Sequence, residues 1–93
     1  MKEDILMELG LSPNEAKIYI SLLEIGFASP TQIADGSGVH RVNVYDSIRK
    51  LKQKGLVAEV THEEKRCYQA AHPDALKNII REKEIKLNKQ KYF

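Results

Sequence analysis

Apolar residues recur along the chain first at helical spacing, then at a shorter beat, then at helical spacing again. Ile5, Leu6 and Leu9, followed by Gly10, predict one short amphipathic helix. From Ser12 the residues Ala16, Tyr19, Ile20, Leu22 and Leu23 supply a buried stripe until Gly26, which predicts a core helix. Ser12, Pro13 and Glu15 form a capping box that opens it. "SPTQIADGSG" repeats the device with Ser29, Pro30 and Gln32, but only Ile33 and Ala34 follow as apolar residues, so a helix of about two turns is expected. The segment "HRVNVYDSIRKLKQKG" then sets Val44, Tyr45, Ile48 and Leu51 on one face and closes with Lys54 and Gly55.

After Gly55 the period changes. Val57, Val60, Cys67 and Tyr68 suit a pleated surface, and the polar "THEEKR" between them predicts a two-stranded hairpin with a loose tip. Such a hairpin is unstable alone and must pack on the helices. A last helix is expected from about Pro73, with Leu76, Ile79, Ile80, Ile85 and Leu87 narrowing to a thin apolar seam among Arg81, Lys83, Lys86, Lys89 and Lys91. A thin seam on a long helix calls for another helix, so this one is expected to pair two subunits. The predicted fold class is mainly α with a small β-hairpin: a winged helix-turn-helix over residues 1–72, continued in the same unit by a dimerisation helix over 73–93. "DGSG" supplies the turn, Gly36 and Gly38 tolerating positive φ.

The chain has 93 residues, 42% of them hydrophobic, which suits one domain with modest stability and favours a dimer. No apolar run approaches the roughly 20 residues a bilayer demands, and no signal-peptide pattern opens the chain, so a cytoplasmic protein without a membrane partner is expected. The single Cys67 cannot form an internal disulfide, and neither zinc spacing nor a nucleotide-binding glycine pattern occurs, so no metal or cofactor is expected. No nucleophile, base and orienting group recur together, which argues against an enzyme. Charge changes the picture more. Residues 1–39 carry −4 and residues 40–93 carry +6, an asymmetry that offers one basic side to a polyanion.

The exposed start of the 40–54 helix therefore becomes the candidate reading end for double-stranded DNA. Arg41 can bond two guanine acceptors and Asn43 can pair with adenine, with His40 just before them. Arg49 and Lys50 suit phosphate, and the hydroxyl of Tyr45 can reach one from the edge of the core. Ser29, Thr31 and Gln32 can donate to another phosphate from the start of the short helix. Lys65 and Arg66 sit where a wing meets the adjacent groove, although Glu63 and Glu64 oppose them. Two other roles stay open: a protein-interaction module of the transcription machinery without base readout, and a metal- or thiol-responsive switch at His62, Cys67 and His72. Against the second, the spacing places Cys67 and the histidines on opposite sides of a hairpin.

The portions "LGLSPNEAKIYISLL", "SPTQIADGSGV" and "VYDSIRKLKQKGLV" resemble the N-terminal DNA-binding domain of the TrmB-like family of transcriptional regulators, over Leu9 to about Ala71. The resemblance implies a homodimer on a palindromic operator, read by His40, Arg41, Asn43 and Tyr45, with the last helix pairing to its dimer mate. Long members of the family carry a large effector-binding domain after this one, so these 93 residues are expected to be either a short stand-alone regulator or the DNA-binding part of a longer one, and a small-molecule effector stays open.

Overall fold

Two serines set the helical frame. Ser12 Oγ accepts from the Glu15 N–H while Glu15 Oε2 accepts from the Ser12 N–H, and Ser29 and Gln32 exchange the same pair of bonds. Each box satisfies two amides that a helix start leaves open. The computed structural model describes residues 2–71 and 75–82. Its elements run α1 (Lys2–Glu8), α2 (Pro13–Ile25), β1 (Phe27–Ala28), α3 (Pro30–Ser37), α4 (Arg41–Gln53), β2 (Val57–His62) and β3 (Lys65–Ala70). Residues 75–82 are again helical.

The core lies where α1, α2, α3 and α4 meet the sheet, with Ile18, Leu22, Ile33, Val44, Leu51 and Leu56 fully buried. Ile33 is the buried anchor of α3, and its burial contributes about 1.5–3 kcal/mol, the main reason so short a helix holds. α4 ends in a Schellman motif: Gly55, at φ 76°, donates to Lys52 O and Leu56 donates to Leu51 O. That closure turns the chain inward at Leu56 and starts β2.

Several details depart from the sequence-based expectations. The sheet has three strands in the order β1-β3-β2, because Phe27 and Ala28 pair with Gln69 and Tyr68. Two residues are too few to give a periodic signal. The hairpin tip is tight rather than loose: His62 pairs with Lys65 across the two residues Glu63 and Glu64, both at positive φ. On α2, Ile18 takes the inward position and Leu23 is 59% exposed, since the face defined by Ala16, Tyr19 and Leu22 turns Leu23 outward. Ile5 of α1 is likewise exposed.

The turn differs too. α3 runs through Gly36 to Ser37, so Gly36 is helical and only Gly38 is left-handed, at φ 75°. Gly36 matters for closeness instead. A β-carbon there would lie 2.9 Å from Ser21 Oγ and 3.1 Å from Ile25 Cδ1, so its absence lets α3 lie against α2. Val39, buried after Gly38, pins the turn before α4 begins.

Ala75, Leu76 and Ile79 pack on the core while Ile80 stays 39% exposed. His72, Ile85, Leu87 and the expected seam beyond residue 82 lie outside the described residues. No helix among the described residues is long and apolar enough to cross a membrane.

Candidate nucleic-acid interface

α4 turns Val44, Ser47, Ile48 and Leu51 inward and leaves Arg41, Val42, Asn43, Asp46, Arg49 and Lys50 exposed. Tyr45, expected on the buried stripe, is 51% exposed. The small Ser47 occupies the inward slot of the Val44, Ile48, Leu51 face, which displaces Tyr45 to the flank. His40 serves as N-cap, its Nδ1 accepting from the Val42 N–H at 3.4 Å. Only Nε2 of that ring remains for another partner.

Arg49 and Lys50, the candidates for phosphate contact, both meet Asp46. Arg49 Nη2 donates to Asp46 Oδ1, and Lys50 Nζ lies 3.1 Å from Oδ2. Lys50 first and Arg49 second hold the Asp46 carboxyl below the ordinary carboxylate range. A similar arrangement joins α4 to the wing. Glu59 of β2 stands 3.4 Å from Lys52 Nζ and 3.5 Å from Arg66 Nε. Arg66 therefore leans along the strand toward Glu59, diagonal to it in the β2–β3 register, rather than marking the tip. Among the described residues no carboxylate pairs with Arg41 or Lys65.

The expected site residues fall into two concavities and one open face. A cleft of about 380 Å³ between α4 and the wing is lined by Tyr45, Arg49, Lys52, Glu59 and Arg66 over a floor of Ile48 and Tyr68. A second, of about 540 Å³, brings Ser29, Thr31 and Gln32 from the start of α3 to Lys65, His62 and Glu63 of the wing. His40, Arg41, Asn43 and Lys50 line neither and stand on the exposed face of α4. The capping box of α3 occupies the Ser29 hydroxyl oxygen and the Gln32 carbonyl oxygen, which leaves the Thr31 and Ser29 hydroxyls and the Gln32 amide as donors.

His62 and Cys67 share one face of the hairpin, not opposite faces, because the two-residue turn sets Val60 against Cys67 and His62 against Lys65. Cys67 is buried, with the ring of His62 against Phe27 at 4.8 Å. Among the described residues no three His, Cys, Asp or Glu side chains cluster as metal ligands. Sequence reasoning missed Val42, a β-branched side chain 74% exposed between Arg41 and Asn43. The only signal was its place off the apolar stripe. It missed Glu59 as well, since strand register decides that contact.

Residues 6–74 match the sequence profile of the family described as sugar-specific transcriptional regulator TrmB. The chain belongs to the TrmB family. It is 32% identical over 85 residues to the HTH-type sugar sensing transcriptional regulator TrmBL1 of Pyrococcus furiosus, an alignment covering 88% of this chain and 25% of that protein. The chain thus spans about a quarter of the length of that TrmB-family relative. Among solved structures, TrmBL2, described as an archaeal chromatin protein with a novel mode of DNA binding, superposes with a TM-score of 0.81 at 25% identity, over 96% of this chain and 36% of TrmBL2. A possible transcriptional regulator from Methanosarcina mazei Go1 gives 0.76 at 15% identity, over 92% and 78% of the two chains, and shows the shared winged-helix fold. These TrmB relatives are described as regulators and DNA-binding proteins, not enzymes.

Proposed function

We propose that the chain is a sequence-specific DNA-binding regulator that acts as a homodimer in the cytoplasm, with α4 in the major groove. The observation that carries this reading is the exposed start of α4, where Arg41, Val42 and Asn43 stand clear of the core on a helix held by a tight turn. Arg41 would take guanine, Asn43 adenine, and Val42 a thymine methyl. Lys65 of the wing and Thr31 at the start of α3 border one concavity, which suits a phosphate of the flanking backbone. Support for a dimer comes from the apolar residues left outside the core, Ile5, Met7 and Ile80 among them. Two α4 helices would then read half-sites about 34–36 Å apart on a palindromic operator.

Selecting bound duplexes from a random pool tests the proposal directly. The expected product is an enriched inverted repeat whose half-site centres are about 10–10.5 base pairs apart, or a multiple of that. A pool that stays random after repeated rounds, with duplex still bound, would reject sequence readout.

A further inference from the structure

The cations around the reading helix are not equally available. Asp46 engages Arg49 and Lys50, and Glu59 engages Lys52 and Arg66, so two carboxylates occupy four of the cationic groups on α4 and the wing. Arg41 and Lys65 have no such partner among the described residues. All four of these ion pairs involve side chains at least 37% exposed, so a phosphate can reach the same nitrogens. A DNA phosphate and a carboxylate offer equivalent acceptor oxygens to Arg and Lys. The pairs are therefore in competition with the backbone of any duplex laid along this surface.

We infer that Asp46 and Glu59 act as internal phosphate mimics that set DNA selectivity by withholding Arg49, Lys50, Lys52 and Arg66 from the backbone of non-cognate duplexes. The inference rests on the DNA-binding reading above and deepens it. Each phosphate neutralised by a cation releases counterions and adds about 0.9 to the slope of log K against log salt. On random sequence, backbone contact on this surface then relies mainly on the uncommitted Lys65, and the salt slope stays shallow. On cognate sequence, base contacts at the start of α4 hold the backbone close enough for phosphates to displace the carboxylates. Two acids on a DNA-facing surface thus lower affinity everywhere but lower it most where no base contact compensates. A purely structural role, such as an ion pair that supports α4, would alter stability and leave the salt slope untouched.

The test is a salt titration of the full chain on a mixed-sequence duplex of about 20 base pairs, two helical turns. Wild type is compared with Asp46→Asn, Glu59→Gln and Asp46→Glu. Asp46→Asn and Glu59→Gln are each expected to steepen the slope by up to about 1.8 per chain, from two released cations, and to tighten binding to mixed sequence. Asp46→Glu keeps the charge and is expected to stay at the wild-type slope. Measurable binding with unchanged slopes in both neutral variants would overturn the inference and leave the DNA-binding reading intact. So would weaker mixed-sequence binding by Asp46→Asn. Salt-dependent duplex binding absent from wild type and every variant would overturn the DNA-binding reading itself.

Discussion

Lys54 Nζ lies 2.6 Å from Glu15 Oε2, which ties the end of α4 to the first turn of α2 across 39 residues of sequence. Glu15 is 2% exposed, and the same oxygen accepts the capping bond from the Ser12 N–H at 2.9 Å. Lys54 also donates to Gly10 O at 3.2 Å. One lysine thus fastens α4 to the α1–α2 turn and to the cap of α2 together.

Lys54→Met removes the cation and leaves a buried carboxylate with one backbone donor. Removing one partner of a buried pair is costlier than the pair is valuable, although partial exposure of Lys54 moderates the loss. About 2 kcal/mol is expected, read as a melting temperature roughly 10 °C lower by circular dichroism. Glu15→Gln, which keeps a capping oxygen and removes the charge, should lose less. A Lys54→Met protein melting within about 1 °C of wild type would show that the junction contributes nothing.

Much of this architecture is legible in the sequence, and what is not has a physical reason. Ser12 with Glu15 and Ser29 with Gln32 announce their helix starts because a capping box is a local arrangement within four residues. The Val44, Ile48, Leu51 face follows from helical period alone. Glu15 reads as a cap and nothing more, since its second partner lies on another helix. The tight turn at Glu63 and Glu64 is hidden because glutamate is a poor indicator of positive φ. Pairing of Asp46 with Arg49 and Lys50 was available from i,i+3 and i,i+4 spacing. Glu59 with Arg66 was not, because it needs the strand register.

The Asp46 carboxyl should titrate below its ordinary value of 3.8, since Lys50 and then Arg49 favour its ionised form. A depressed folded-state value means that ionised Asp46 stabilises the fold above the unfolded value, and that this contribution disappears as pH falls through the lower folded value. Carbon-detected NMR titration of the side chain measures it. Lys50→Ala should raise the midpoint toward 3.8, and Arg49→Ala should do so to a smaller extent. A wild-type midpoint at or above that value would mean that the pairing does not persist in solution.

Glu64, at φ 64°, occupies the second central position of the hairpin turn, where glycine carries no steric penalty. Glu64→Gly should therefore stabilise the hairpin by about 1 kcal/mol, raising the melting temperature by roughly 5 °C. Hydrogen exchange should slow across the β2–β3 pairs, from Val60 with Cys67 to His62 with Lys65. Faster exchange in the variant would mean that the left-handed tip is not what limits the wing. Because the substitution also removes an acidic group beside Lys65, stability is the readout to use and duplex affinity is not.

Arg41 and Lys65 are two cations of the proposed DNA surface that have no carboxylate partner among the described residues, and the proposed docking gives them different work. In the proposed complex Arg41, which opens α4 on its exposed face, would meet base edges, and Lys65, which borders one concavity with Thr31 and Gln32, would meet backbone. Arg41→Ala should cost about 1–3 kcal/mol on the selected operator and relax preference at one base pair per half-site, with a smaller loss on mixed sequence. Lys65→Ala should weaken both duplexes by a similar factor and reduce the salt slope by about 0.9 per chain. Paired titrations on operator and mixed-sequence DNA separate the two. If Arg41→Ala lost affinity equally on both, that arginine would be holding phosphate, and base readout would have to come from Val42, Asn43 and His40 without it.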